Sequence, residues 1–325
     1  MRNFLNIKSP AGSSKRGNHC KTGFARMRNM LYLTFISLLV SVSVVKGQQV
    51  PHFTQYMFND YVINPAIAGT HSYYQVRLNS RLQWVGITDA PQTNSLSVYG
   101  PHTSKDMGFG GHVYTDVAGP TSRNGLYGTY AYNIVLNDNM RLSMGASAGI
   151  VQSKIDGTRI TFHEPDNIPS LESVASTFVP DASVGLYLYA SNFYAGFSAH
   201  QLFNNKLNYY ENSTGLNKLK THFYLTGGYT YAINSDFIIE PSIIIKGIMP
   251  VPVQADLSVR AYYREMLWMG AAFRSRDAAS VLIGYIHDER FYFGYSYDIS
   301  FSGIRTHNSG THEIMLGMRF NPIKK

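Results

Sequence analysis

Cysteine is almost missing from this chain of 325 residues: the single one, Cys20, lies near the start, ahead of an apolar run. Everything beyond that run is cysteine-free, which excludes disulfides and thiolate metal sites as the means of holding it together. Charge is also scarce, at 15 % of residues, and no apolar window keeps the spacing of three and four that marks an amphipathic helix. What is abundant is Tyr (24), Phe (18) and Gly (28). Many aromatics and glycines with few charges suit a β-rich protein whose outer surface is not wholly in water.

The apolar run itself, "MLYLTFISLLVSVSVVKG" from Met30 to Gly47, follows Lys15, Arg16, Lys21, Arg26 and Arg28. A basic stretch, an apolar stretch of about fifteen residues and a small residue at its end make a secretory signal peptide. Ser37, Ser41 and Ser43 dilute the run below what a spanning helix needs. Cys20 precedes it and has no lipoprotein-type small-residue box, so it is not read as a lipid anchor. Residues 1–47 hold eight of the 28 basic residues and no acidic one. Without them, twenty basic residues face 20 acidic ones. The exported chain therefore has no net positive charge with which to bind nucleic acid.

From about residue 73 the sequence breaks into segments of roughly ten residues with two-fold alternation. In "VPVQADLSVRAYY", Val251, Val253, Ala255, Leu257, Val259 and Ala261 alternate with Gln254, Asp256, Ser258, Arg260 and Tyr262. "FIIEPSIIIK" and "FYFGYSYD" alternate in the same way. A soluble sandwich also alternates. Here, however, the polar face carries small and aromatic residues with isolated charges, as a barrel lumen does. Fourteen strands are predicted: 73–83, 91–99, 107–116, 123–135, 140–154, 181–190, 192–202, 220–233, 236–246, 252–262, 266–274, 279–287, 290–300 and 311–320. The even-numbered connections are short and the odd ones mostly longer, including "DVAGPTS" and a stretch from Ile155 to Pro180. An even strand number with short turns on one rim predicts a transmembrane antiparallel β-barrel with both termini periplasmic. The expected division is 1–47 signal peptide and leader, 48–72 an N-terminal periplasmic or plug segment, and 73–325 an outer-membrane β-barrel.

Catalytic patterns dissolve on this reading. "GASAG" matches G-x-S-x-G, but that motif needs a sharp strand-to-helix turn, whereas Ser147 falls in an alternating strand. His312 and Glu313 are neighbours on a strand and point to opposite faces. His163, Glu164 and Asp166 sit in a Pro-containing loop, and "NST" at Asn212 is a sequon by pattern alone. No enzyme activity, cofactor or metal is expected. Arg77, Arg81, Glu240, Lys246, Asp256, Arg260, Arg274, Asp298 and Arg319 all have lumen parity. Their mixed signs suit internal salt bridges better than an ion pathway, whose constriction usually carries one sign.

Six blocks, "HFTQYMFNDYVINPAIAGT", "RLQWVGITDAPQTNSLSVYGP", "DVAGPTSRNGLYGTYAY", "HQLFNNKL", "GYSYDIS" and "NSGTHEIMLGMRF", run in order from about residue 50 to 320. In these blocks the chain resembles the PorP/SprF family of type IX secretion system membrane proteins. The resemblance implies an outer-membrane β-barrel of Bacteroidetes-type bacteria working with the type IX secretion and gliding apparatus. It implies as partners the periplasmic lipoprotein ring or translocon of that machine, the C-terminal domain of a secreted adhesin, and outer-membrane lipid. It brings no catalytic residues. The family's N-terminal block falls here on Gln55, Tyr56, Met57, Phe58, Asn59, Asn64, Pro65, Ala66 and Gly69, read as a partner-docking or plug element. Tyr56, Phe58 and Tyr61 are expected to seal against the wall, and Asn59 and Asn64 to make turn-type bonds to the backbone. The alternative function is a passive outer-membrane porin.

Overall fold

The structure, a computed structural model, describes residues 52–160, 173–209, 218–301 and 303–322. The expected signal peptide, the loop residues His163, Glu164 and Asp166, and the Asn212 sequon lie outside these residues. The described chain is one antiparallel sheet of fifteen strands. They are β1 (Tyr74–Leu82), β2 (Gln92–Pro101), β3 (Met107–Ala118), β4 (Thr121–Asn137), β5 (Met140–Asp156), β6 (Val174–Ala190), β7 (Phe193–His200) and β8 (His222–Tyr229). They continue as β9 (Tyr231–Ala232), β10 (Phe237–Ile248), β11 (Val251–Tyr263), β12 (Leu267–Arg274), β13 (Ala278–His287), β14 (Phe291–Ser300) and β15 (Thr311–Phe320). β9 extends β8 beyond Thr230, and both pair with β10. The wall therefore has the fourteen staves expected from the alternation. β15 returns to pair with β1, Leu82 opposite His312 through Tyr74 opposite Phe320, and the ring closes.

Side-chain alternation divides each stave between two environments. Val253 and Leu257 point outward and are 61 % and 54 % exposed, with Phe178, Met269 and Leu126 equally bare. Between them Asp256, Ser258 and Arg260 point inward and are buried. An apolar exterior around a polar interior is the inverse of a soluble fold and is stable only where the exterior meets lipid. Outward aromatics such as Tyr229, Tyr231, Phe237 and Tyr263 gather at the short-turn rim, the position of an interfacial girdle.

The rims differ from expectation in detail. One carries only short turns: 102–106, 138–139, 191–192, 233–236, 264–266 and 288–290. The other mixes long connections at 83–91, 157–173, 201–221 and 301–310 with tight ones at 119–120, 249–250 and 275–277. The predicted loop "DVAGPTS" is thus mostly strand, because β3 and β4 stay paired out to Ala118 opposite Thr121. Likewise β6 begins at Val174 rather than at 181, and Pro180 lies within it opposite Ile150. Pro180 has no N–H to give the ladder, which made it look like a loop residue. In 174–180 both faces carry apolar residues, Val174 and Phe178 outward and Ala175 and Val179 inward, Val179 packing with Leu207 and Leu219, so the polar–apolar alternation fades.

Candidate functional site in the lumen

Residues 52–69 lie inside the barrel. The segment holds three single-turn 3-10 helices, η1 (Tyr56–Phe58), η2 (Asp60–Val62) and η3 (Pro65–Ile67). Short turns of this kind suit a chain whose backbone groups are met by a surrounding wall rather than by a long helix of its own. The course begins near the long-loop rim, where Thr54 meets Arg81, Arg274 and Asp298. It ends near the short-turn rim, where Gly69 accepts from Asn133 and packs on Gly108. The expectation of both termini at the short-turn side thus holds for the end of β15 at Phe320 but not for the start of the described chain. Gln55 and Ala66 are wholly buried, and Tyr56, Phe58, Asn59, Asn64 and Pro65 are buried too; Met57 is half-buried. All nine residues picked out from the sequence therefore sit in one luminal segment, each facing the inside of its own barrel.

Its upper end is fixed by charge. The Glu313 carboxylate accepts the backbone N–H groups of Thr54 (2.7 Å) and Gln55 (2.9 Å), and the Gln55 amide donates to the Glu313 carbonyl (3.1 Å). Arg81 spans Glu313 at 3.0 Å and Asp298 at 2.7 Å. Arg274 meets Asp256 at 3.1 Å, and Lys246 meets the same Asp256 oxygen at 2.8 Å. The Thr54 hydroxyl sits among them, donating to Asp298 (2.8 Å) and accepting from Arg81 (2.9 Å) and Arg274 (3.1 Å). Three cations and three carboxylates thus neutralise one another in a dry place, which offsets the desolvation that isolated charges would suffer there. Arg81 and Glu313 also face each other across the β1–β15 seam, so the same pair ties the ring shut.

Below this, aromatic packing takes over. The Tyr56 hydroxyl lies within 3.3 Å of Ser258 and 3.4 Å of Ser242. Phe58 packs on Trp268 with centroids 4.4 Å apart, and Tyr61 stacks on Tyr99 at 4.4 Å while donating to Thr129 (2.7 Å). These three do seal against the wall. Asn64 also does what its type suggests: Oδ1 accepts from Ala66 N–H (3.0 Å), capping η3 with Pro65 at its first position. Asn59 does not. Its amide bridges two staves instead, donating to Asn79 (2.8 Å) and accepting from Ser97 (2.8 Å). Side chains from distant strands outcompete the local turn bond once the segment is enclosed.

The wall makes room by omitting side chains. A Cβ on Gly108 would strike the Ala68 carbonyl, one on Gly145 the Pro65–Ala66 peptide, and one on Gly185 the Asn64 side chain. Neighbouring Ser147, in the G-x-S-x-G pattern, lies flat in β5 and bonds to Thr129 at 2.6 Å. Asp60, half-buried at the lower end, has its carboxyl pushed up to about 7 by burial, against the opposing pull of Arg77 and Arg260. Burial and the cations Arg319 and Arg77 hold His71 down at about 3, so that it is neutral.

Glu313 was missed as a luminal anchor. Its inward parity was legible, but its partners, Thr54 and Gln55, lie some 260 positions away in a segment with no alternation to reveal its direction.

A closed fourteen-stave barrel, apolar outside and threaded by its own N-terminal segment, defines a transmembrane β-barrel protein with an occupied lumen. A family model, type IX secretion system membrane protein PorP/SprF, matches residues 45–318. The chain belongs to that family, and its place is the outer membrane. A search of curated proteins finds no match. Among solved structures, the CymD monoaromatic hydrocarbon channel is 11 % identical with a TM-score of 0.46, covering 84 % of this chain and 94 % of its own. The outer membrane protein Omp33 of Acinetobacter baumannii is 10 % identical with a TM-score of 0.45, covering 77 % and 100 %. A Pseudomonas aeruginosa FadL homologue is 13 % identical with a TM-score of 0.43, covering 84 % and 94 %.

Proposed function

We propose that this barrel is a non-enzymatic component of the type IX secretion machinery that works as a docking platform rather than as a pore. The observation that carries the reading is the occupied lumen: residues 52–69 fill it from the charged cluster at Glu313 to the Gly69–Gly108 contact. On this reading the segment is a plug that keeps the wall rigid, and docking falls to the two rims. The short-turn rim faces the periplasm and meets periplasmic secretion components, the ring lipoprotein complex or the translocon. The opposite rim, with its long connections, helps export a secreted adhesin or hold its C-terminal domain at the surface. Family membership supports the first half of this, and the position of the long loops supports the second.

Deleting residues 52–69 tests the reading. A heat-modifiable barrel should still reach the outer membrane, because β1 to β15 carry the ring, while surface display of the type IX cargo falls. Undiminished display by the deleted form would remove the plug from the account.

A further inference from the structure

A cavity of about 420 Å³ lies beneath the plug, lined among others by Asp60, Arg77, Arg319, Tyr292, Glu265 and Glu289. Glu265 and Glu289 belong to the turns at 264–266 and 288–290, so the cavity opens at the short-turn rim. Two arginines in it differ from the luminal arginines above. Arg81, Arg260 and Arg274 each meet a carboxylate at ion-pair distance, Arg260 through Glu240 at 2.6 Å. Among the described residues, neither Arg77 nor Arg319 does. Arg77, 2 % exposed, gives Nε to the Phe58 carbonyl (2.9 Å) and Nη2 to Gln75 (2.7 Å), and its Nη1 is left without a partner. Arg319 Nε is likewise unpartnered. Both guanidiniums stack on the ring of Tyr292, each 4.3 Å from its centroid, and Arg319 also covers Tyr73 at 4.5 Å. Gln75 and Arg319 are register partners across the seam, as are Arg77 and Gly317.

Both guanidiniums line the cavity, and a cation there without a carboxylate at ion-pair distance keeps its charge uncompensated. A carboxylate entering the cavity supplies the missing negative charge to the guanidinium edges that line it. We propose that the Arg77–Arg319 pair is a binding site for a carboxylate-bearing ligand reaching in from the short-turn side, such as the free C-terminal end of an extended peptide. Arginine matches a planar carboxylate through paired donors. Asp60, Glu240, Glu265 and Glu289 line the rest of the same cavity. They disfavour a multiply charged anion such as phosphate and favour a singly charged group on a chain that also brings N–H donors. Tyr99, Tyr187, Tyr194 and Tyr262 provide flat walls for that chain.

The test uses the purified full-length protein in detergent and calorimetric titration with acetyl-Gly-Tyr as its free acid, the same peptide as its amide, and inorganic phosphate. The free acid should bind saturably, with the amide and phosphate at least about tenfold weaker. Arg319→Met should lose about the same factor. Gly317→Ala keeps both charges but puts a Cβ where the Arg77 Nη1 lies, and should also weaken the acid. Heat-modifiability confirms that each variant is folded, and Arg77 is left intact because it also holds the plug at Phe58. Absence of saturable binding by the acid, equal binding of acid and amide, preference for phosphate, or undiminished binding by folded Arg319→Met would each overturn the proposal.

Discussion

At the scale of single residues, the luminal cluster turns on Glu313. Its carboxylate meets a cation from the wall and two consecutive amides from the plug, so Glu313→Ala leaves Arg81 with Asp298 alone and frees Thr54 and Gln55 together. Because Asp298 still compensates Arg81, the cost falls below the roughly 3–5 kcal/mol of a buried charge left wholly unpaired. Hydrogen exchange should therefore show the Thr54 and Gln55 amides losing protection while the amides of β4 and β5 keep theirs. Asp60 gives a pH signature of opposite sense to an ion-paired acid. With its carboxyl raised from 3.8 to about 7, the folded state holds a proton that the unfolded state releases between those values. Its contribution is thus fully present below about pH 4 and lost as pH rises through 7. The groups facing it in the cavity are Arg77, Arg260, Arg319, Glu240, Glu265, Glu289 and the neutral His71. Asp60→Asn should raise the thermal midpoint at pH 8 and leave it nearly unchanged at pH 4, read by melting the detergent-solubilised barrel. Parity alone showed that Arg81, Asp256, Arg274 and Asp298 face inward, because alternation fixes direction on a strand. It could not show which of them meet, since pairing depends on where the ring closes and where Thr54 lies between them.

At the scale of elements, the plug and the glycines of the wall are one device. Gly108, Gly145 and Gly185 sit on β3, β5 and β6 opposite Ala68, Ala66 and Asn64, and this row of bare backbone seats η3. Gly145→Val should lift Pro65–Ala66 off the wall without touching any charge. The expected result is proteolytic cleavage within 60–69 in folded, heat-modifiable protein, where the unaltered chain resists. The staves themselves were readable from sequence because lipid outside and polar lumen inside impose a strict two-residue period. That contrast disappears around the tight turn at Ala118–Thr121 and in Val174–Pro180, where the inward Ala175 and Val179 are as apolar as the outward Val174 and Phe178, and strand was read as loop. The plug carries no period of either kind, since its single turns follow the contour of the wall. Its existence was legible from its place before the first strand and its aromatic content, its course through the lumen only from the packing.

For the whole molecule, closure and occupancy are separate achievements. The ladder from β1 round to β15 closes the ring, and the seam pair Arg81–Glu313 joins that closure to the plug. Mixed luminal charges, cancelled in pairs at Arg81, Lys246, Arg260 and Arg274, leave no continuous file of one sign among the described residues for an ion to follow. The cavity under the plug opens at the short-turn rim, whereas the charged cluster lies toward the other. Planar-bilayer recording on the purified full-length protein tests the central claim, that the lumen is occupied by the chain's own residues 52–69, most directly. The account predicts no steady conductance from the intact barrel and stepwise openings once residues 52–69 are deleted. A large, stable open pore formed by the intact protein would contradict it.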